Sequence, residues 1–187
     1  MADLIGPDDI TALILAGGRS KRMGEDKARL PLAHTDLLAW QVARLADCCD
    51  QVVVSGDYPE HAAVPDVLPG LGPLAGLHAA ALRFPNAALW ALPVDMPGLR
   101  PERLQALRQQ PVPAFYGDSP LPAWFPDTDA LAAAITAMLA AVPRELSIRQ
   151  LHARLHSRAL PALPDDEQAN LNTPEDWAAF RRALAMP

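Results

Sequence analysis

The chain contains 187 residues, half of them hydrophobic, and carries a formal net charge of −6. This length and apolar content suit one α/β domain, so we expect residues 1–187 to form a single domain. The acidic balance argues against general nucleic-acid binding, and the lack of an apolar run of about 18 residues argues against a transmembrane helix.

The cysteines and the first residues bear on the compartment. Cys48 and Cys49 are adjacent, and neighbouring cysteines rarely bridge because the geometry is strained. Both are expected to pack at a helix end in a reducing cytosol. Residues 1–7 contain neither a basic n-region nor an apolar h-region, so no secretory signal is expected. The sequence therefore predicts a cytoplasmic protein.

In the first 110 residues, strand-like apolar runs alternate with helical patterns. Strands are predicted at 12–15, 51–54, 64–68 and 88–93, and helices at 36–46, 73–84 and 101–110. This alternation predicts a mostly parallel sheet that is covered by helices on both faces.

The pattern changes after Pro111. Two apolar runs, 113–116 and 121–125, flank a Gly-Asp-Ser-Pro turn, which predicts a small antiparallel hairpin. The remaining predicted elements are helices at 127–141, 147–154 and from 174 onward, the last with Thr173 as N-cap, and a loop or edge strand at 161–166. The predicted fold class is therefore α/β, with three layers.

A glycine-bearing basic loop follows the first predicted strand. Residues 15–27 read Leu-Ala-Gly-Gly-Arg-Ser-Lys-Arg-Met-Gly-Glu-Asp-Lys. Gly17 and Gly18 let the backbone approach phosphate oxygens without a Cβ clash, and successive amides in such a turn can bind an anion. Four side chains add positive charge: Arg19, Lys21, Arg22 and Lys27. The string is neither a Walker A loop nor a dinucleotide fingerprint, and its alternative interpretation is an ordinary solvated surface loop.

An aspartate follows the predicted strand 88–93. Asp95 lies between Pro93 and Pro97, and ligands of parallel sheets bind beyond the carboxyl ends of the strands. If this strand neighbours the first one, Asp95 faces any phosphate that the glycine loop holds. A carboxylate there suits Mg²⁺, which takes one or two carboxylates together with phosphate oxygens. Alternatively, Asp95 caps the turn before the helix that begins at Pro101.

A second glycine turn, residues 70–76, leads into the predicted helix 73–84. The N-terminus of that helix can face a ligand, although a plain strand-to-helix turn explains the glycines equally well. Asp66, just upstream, is a candidate for a hydrogen bond to a base edge, or else a loop aspartate.

Four segments, taken in order, resemble the signature motifs of the molybdenum cofactor guanylyltransferases, which are nucleotidyltransferases with a Rossmann-like fold. The first segment combines 15–18, 22–24 and 26–27, and the others are 72–76, 93–97 and 170–174. Sugar-1-phosphate and cytidylyl-transferring relatives share the first motif. The fourth, Asn-Leu-Asn-Thr-Pro, points more narrowly to the molybdopterin enzymes.

This resemblance implies transfer of GMP from GTP to the phosphate of molybdopterin, with release of pyrophosphate. The N-terminal half would bind the nucleotide and the C-terminal half the molybdopterin. The implied nucleotide-binding residues are Leu15, Ala16, Gly17, Gly18, Lys27, Ser55, Asp66 and Asp95. Ser55 stands where the family often has asparagine. The implied catalytic residues are Arg22 and Lys27, which would neutralise the triphosphate, and Asp95, which would hold Mg²⁺.

The molybdopterin side would involve Asn170 and Asn172, together with Arg144 and Arg149, which lie where the family has basic residues. Leu121-Pro122 stands where some members carry His-Pro. Molybdoenzymes or their chaperones are further expected partners. A phosphate nucleophile is already anionic, so no strong base is needed. The five histidines match no motif and are expected at surface or helix positions: His34, His61, His78, His152 and His156.

Three other functions remain open on sequence grounds. The first is a CTP-dependent molybdopterin cytidylyltransferase, and the second is a sugar-phosphate nucleotidyltransferase. The third is a non-catalytic nucleotide-binding protein that delivers the cofactor to an apo-enzyme. In that protein Trp90, Trp124 and Trp177 would be partner-facing anchors, whereas core packing is their alternative role.

Overall fold

The computed structural model describes residues 9–17, 26–32, 34–68, 70–117, 119–142 and 146–184. The strands among them are β1 (Ile10–Leu15), β2 (Pro31–Leu32), β3 (Thr35–Asp36), β4 (Gln51–Ser55), β5 (Ala63–Val64), β6 (Ala88–Pro93), β7 (Ala114–Tyr116), β8 (Ala123–Phe125) and β9 (Arg158–Leu160). The helices are α1 (Leu37–Ala46), α2 (Pro73–Arg83), α3 (Pro101–Arg108), α4 (Thr128–Ala140), α5 (Ile148–Arg154), α6 (Asp165–Gln168) and α7 (Pro174–Leu184), and a 3₁₀ turn spans Lys27–Arg29.

Seven strands form the main sheet, in the order β5-β4-β1-β6-β8-β7-β9. β1 pairs in parallel with both β4 and β6, and β4 pairs in parallel with β5. β8 runs antiparallel to β6 and β7, while β9 is parallel to β7. The carboxyl ends of β1, β4 and β6 therefore meet at one edge of the sheet, where parallel sheets bind ligands.

The sheet separates two hydrophobic cores. Alternate residues of β1 show the division, because Ile14 packs towards α1, α3 and α7, whereas Leu13 packs towards α2, α4 and α5. The predicted mostly parallel sheet with helices on both faces and a small antiparallel hairpin is confirmed. Trp90, Trp124 and Trp177 are buried in the first core, so they pack within the protein rather than face a partner.

The predicted strand at 64–68 is wrong in extent. Only Ala63–Val64 pairs with β4, and Val67 and Leu68 are 59% and 41% exposed, because Pro65 has no amide to donate to the ladder. For 161–166 the loop alternative holds at 161–164, because the edge strand β9 lies before it at Arg158–Leu160 and α6 begins at Asp165. Proline at position 161 ends the strand for the same reason.

Cys48 and Cys49 lie just after α1 and are free thiols. The Sγ atom of Cys49 lies 3.3 Å from the carbonyl oxygen of Leu45, and burial raises the pKa of Cys49 to about 11. Burial also raises the pKa of Cys48, so both thiols remain protonated packing groups at neutral pH. Among the described helices, none is long and apolar enough to span a bilayer.

His152 occupies a helix position, one of the two kinds that were expected, but it is not at the surface. It lies on α5 and is buried, with its ring stacked on Phe115 at a centroid distance of 4.3 Å. Nε2 donates to the carbonyl oxygen of Pro120 at 2.9 Å, and Nδ1 accepts from the hydroxyl of Ser157 at 2.9 Å. Burial lowers the pKa of His152, so the neutral ring joins α5 to the hairpin. His78 on α2 is also buried.

A buried carboxylate joins α6 to α3. The Glu167 side chain is 1% exposed, and its Oε1 and Oε2 atoms accept from Arg103 at 2.9 and 3.0 Å. Oε2 also accepts from the amide of Arg100 at 3.3 Å. Hydrogen bonding to the Arg103 guanidinium lowers the pKa of Glu167. This contact fixes the chain before the 170–174 segment against the chain after β6.

We expect Glu167→Gln to lower the free energy of unfolding at pH 7 by about 1.5–3 kcal/mol, because the charge-assisted hydrogen bonds are weakened. The folded pKa of Glu167 lies below its unfolded value of about 4.3. The stabilisation is therefore complete above the unfolded pKa and is lost as pH falls through the folded one. Urea unfolding of both proteins at pH 7, 5 and 3.5 measures this. A difference between them that stays constant over these pH values would contradict the assignment.

Candidate functional site

Three side chains from distant parts of the sequence meet at the carboxyl edge of the sheet. The ammonium of Lys27 lies 2.9 Å from Oδ2 of Asp95 and 2.9 Å from Oδ1 of Asn172. The side chains of Lys27 and Asp95 are 14% and 22% exposed, so the ion pair is largely shielded but remains open to a ligand. We refer to Lys27, Asp95 and Asn172 as the ammonium cluster.

Asp95 is held mainly through the main chain around it. The amide of Val94 donates to the carbonyl oxygen of Leu15 at 3.2 Å, which continues the pairing of β6 with β1. The Gln41 side chain on α1 donates to the carbonyl oxygen of Val94 at 2.8 Å. The amide of Leu171 donates to the carbonyl oxygen of Asp95, also at 2.8 Å. β1, α1 and the C-terminal segment together therefore fix the position of this aspartate.

Lys27 opens the 3₁₀ turn, and Asp26 caps that turn. Oδ1 of Asp26 accepts from the amide of Ala28 at 3.0 Å, which satisfies one of the amides left unpaired at a helix start. Asp26 belongs to the first motif, but the resemblance implies no role for it. Its side chain orients the turn that carries the lysine.

Asn172 is placed by the start of α7. Oδ2 of Asp176 accepts from the amides of Asn172 and Thr173 at 2.9 and 2.8 Å, and the amide of Asp176 donates to Oγ1 of Thr173 at 3.1 Å. This reciprocal arrangement is a capping box, which confirms the predicted helix start. The hydrogen bonds from these amides lower the pKa of Asp176. Asn170 is exposed and lies two residues before Asn172.

A second group of predicted residues lies at the carboxyl ends of β1 and β4. Ser55 ends β4, is buried, and donates from Oγ to Oδ1 of Asp66 at 3.3 Å. A Cβ at Gly76, in the first turn of α2, would lie 2.8 Å from the Cβ of Ser55 and 2.9 Å from Cδ2 of Leu15. Glycine is therefore required there so that α2 can approach the strand ends.

Gly17 lies beside this second group, and its contacts with the described residues do not require a glycine. A Cβ at this position would lie 3.7 Å from Oγ of Ser55, which is an ordinary contact, and its φ is outside the left-handed region. Gly17 is exposed, whereas Ala16 before it is buried. A glycine here leaves room for a ligand to approach the backbone.

Some predicted residues lie outside the ammonium cluster or outside the described part of the chain. Gly18, Arg22 and Arg144 fall in the segments 18–25 and 143–145, which the structure does not describe. Arg149 lies on α5, which packs on the sheet face opposite to Leu171. Its side chain lines a separate cavity of about 280 Å³, together with Phe115, Pro120, His152, Ala153, His156 and Ser157. The structure therefore does not bring Arg149 to Asn172.

Solved structures share the fold of this chain. The chain is similar to the structure of molybdopterin-guanine dinucleotide biosynthesis protein A from Archaeoglobus fulgidus, with a TM-score of 0.77, 22% identity, and coverage of 94% of this chain and 98% of that one. It is also similar to 2-C-methyl-D-erythritol 4-phosphate cytidylyltransferase from Thermus thermophilus, with a TM-score of 0.70, 18% identity, and coverage of 95% and 98%. At these identities the two structures establish the shared fold.

Sequence similarity shows the family to which this chain belongs. The family model described as the MobA-like NTP transferase domain matches residues 12–159, and the chain belongs to this family. A protein from Xanthomonas euvesicatoria named molybdenum cofactor guanylyltransferase is 39% identical over 90% of this chain and 92% of its own length. Another of that name, from Rhodobacter capsulatus, is 36% identical over 90% of this chain and 93% of its own length.

Proposed function

We propose that this chain transfers GMP from GTP to the terminal phosphate of molybdopterin and releases pyrophosphate, which makes it a molybdenum cofactor guanylyltransferase. The observation that carries the proposal is the ammonium cluster, in which Lys27 of the first motif, Asp95 of the third and Asn172 of the fourth are in contact. The relatives that share the chain almost from end to end bear this name, and they supply the identity of the two substrates.

The nucleotide is assigned to the N-terminal half of the chain. Leu15, Ala16 and Gly17 end β1 and begin the loop, and no contact of Gly17 with the described residues requires a glycine, which supports a ligand close to that backbone. Ser55 and Asp66 lie beside it and offer a hydroxyl and a carboxylate to the guanine. Asn172, with Asn170 before it, is assigned to the molybdopterin side, so the C-terminal half would bind the acceptor.

The residues present fit a magnesium ion. Two hard oxygen donors, Oδ2 of Asp95 and Oδ1 of Asn172, already converge on one cation, the ammonium of Lys27. No cluster of three or more His, Cys, Asp or Glu side chains suited to a metal occurs within the described ranges. Mg²⁺ needs only one or two carboxylates when substrate phosphates complete its shell, and Asp95 would hold it. When bound, the ion would neutralise charge on the phosphate oxygens.

The chain contributes positioning and positive charge rather than a base. An oxygen of the acceptor phosphate forms a bond to the α-phosphorus of GTP, and the bond from that phosphorus to the bridging oxygen breaks, so pyrophosphate leaves with the electron pair. Lys27 has three N–H donors, of which Asp95 and Asn172 take two in the described part of the chain. The third is suited to a phosphate oxygen, where the ammonium stabilises charge that develops in the transition state.

The base preference is tested by ligand-induced stabilisation. We expect GTP with Mg²⁺ at about 100 times its dissociation constant to raise stability by about 2.7 kcal/mol, or roughly 5–10 °C in Tm, and CTP and ATP at the same concentration to raise it less. Pyrophosphate release is then measured with molybdopterin and the preferred nucleotide. A larger shift with CTP would make the chain a cytidylyltransferase. Nucleotide binding without pyrophosphate release would indicate a delivery protein.

A further inference from the structure

The hydroxyl of Tyr58 joins the two residues that flank positions 17–25. It lies 3.0 and 3.2 Å from Oδ2 and Oδ1 of Asp26, and 3.3 Å from the carbonyl oxygen of Ala16. Tyr58 is only 6% exposed, and both its burial and the negative charge of Asp26 raise its pKa. The hydroxyl therefore stays protonated at neutral pH and remains a donor to the carboxylate.

The carboxylate that Tyr58 contacts is the cap of the turn that carries Lys27. Oδ1 of Asp26 accepts from the amide of Ala28, and Lys27 reaches from this turn to Asp95. The guanidinium of Arg29 also packs over the tyrosine ring, with its carbon 5.1 Å from the ring centroid. A continuous set of contacts thus connects the Tyr58 hydroxyl to the lysine ammonium.

We propose that Tyr58 is a positioning residue that acts through Asp26 to hold the ammonium of Lys27 at the nucleotide's phosphates. A phenylalanine would fill the same space without a polar atom, so burial of the ring does not account for the hydroxyl. The hydrogen bond to Asp26 does, because it fixes the orientation of the capping carboxylate. The inference rests on the proposed function only in assigning Lys27 to the phosphates.

A double-mutant cycle with Tyr58→Phe and Lys27→Ala tests this coupling. We expect Tyr58→Phe to lower kcat/KM for GTP about three- to tenfold in the wild-type background, as for loss of one hydrogen bond. In the Lys27→Ala background it should have less than a twofold effect, because the group that it positions is gone. The same cycle, measured as the Kd for GTP with Mg²⁺ by fluorescence titration, requires no turnover.

The chain offers a matched control in Tyr116→Phe. Tyr116 is also 6% exposed, and its hydroxyl donates to the carbonyl oxygen of Arg103 at 2.8 Å. This variant removes a comparable tyrosine hydrogen bond away from Lys27, so kcat/KM for GTP should be unchanged in both backgrounds. Thermal unfolding of every variant establishes that it is folded. If Tyr58→Phe does not fold, Asp26→Asn is used in its place, because it weakens the same hydrogen bond by changing the acceptor.

Two results would overturn the role of Tyr58. One is an unchanged kcat/KM in Tyr58→Phe, and the other is an equal loss in both backgrounds, which is the behaviour of a purely structural residue. GTP binding and GMP transfer by the wild-type protein distinguish a failure of this inference from a failure of the proposed function. If the wild-type protein binds GTP but transfers no GMP, guanylyl transfer is excluded and the cycle in Kd still decides the role of Tyr58. A wild-type protein that neither binds nor turns over GTP would overturn both.

Discussion

Replacement of Lys27 by alanine is expected to lower kcat/KM for GTP by about 10²–10³-fold, equivalent to roughly 3–4 kcal/mol of transition-state stabilisation. The Lys27 ammonium contacts both Asp95 and Asn172 and is largely shielded from solvent. In the variant, water would therefore be a poor substitute for the lost positive charge. The loss should appear mainly in kcat, because charge on the leaving pyrophosphate develops in the transition state. Initial rates of pyrophosphate release, with GTP and molybdopterin varied in turn, measure it.

Arg83→Ala provides the control for overall charge. Arg83 lies in the last turn of α2, where it packs over the ring of Phe84, and its removal changes the net charge by the same amount. Its kcat/KM should stay within about twofold of the wild type, since long-range charge effects are screened by salt. A Lys27→Ala enzyme that also remained within about threefold of the wild type would remove Lys27 from the mechanism.

The position of Asp95 at the sheet edge could be predicted because it follows from which residues directly precede Asp95 in the chain. An apolar run that becomes a buried parallel strand delivers the next residues to the carboxyl edge of the sheet, and β6 does so beside β1. The helix starts were predictable for a similar reason. Asp127 and Thr173 cap α4 and α7 through amides that are two or three residues further along the chain.

The contacts within the ammonium cluster could not be predicted from sequence patterns. Lys27 is separated from Asp95 by 68 positions and from Asn172 by 145, so only the completed fold brings them together. Tyr58 gave no signal at all, since nothing about a lone tyrosine after a strand indicates a carboxylate partner 32 positions earlier. The same holds for Glu167 and Arg103, which are 64 positions apart.

The location of Arg149 relative to Asn170 and Asn172 could not be inferred from the sequence. Arg149 was grouped with Asn170 and Asn172, but the helix that carries it covers the other face of the sheet. A short helix of seven residues gives little periodicity from which to infer its buried side. The strands β7 and β9, of three residues each, are too short to show a period of two, so the packing at this end of the sheet could not be predicted.

Replacement of Asp95 by asparagine is expected to abolish Mg²⁺-dependent turnover, with a loss of at least about 10³-fold, while the protein remains folded. Asparagine keeps the shape of the side chain and an oxygen that can accept from Lys27. The hydrogen bond from the amide of Leu171 to the carbonyl oxygen of residue 95 is also retained. The substitution therefore removes the charge that a divalent cation requires and leaves the surrounding contacts in place.

Pyrophosphate release is measured with GTP and molybdopterin across a Mg²⁺ titration, for the wild type, Asp95→Asn and the control Asp47→Asn. Asp47 is exposed at the end of α1, so its variant should follow the wild-type titration. If Asp95 binds the metal, its variant should fail to saturate over the range in which the wild type does, because the carboxylate is part of the metal's affinity. If it serves only as the partner of Lys27, the variant should lose rate at an unchanged Mg²⁺ midpoint. Normal turnover in Asp95→Asn would exclude both roles.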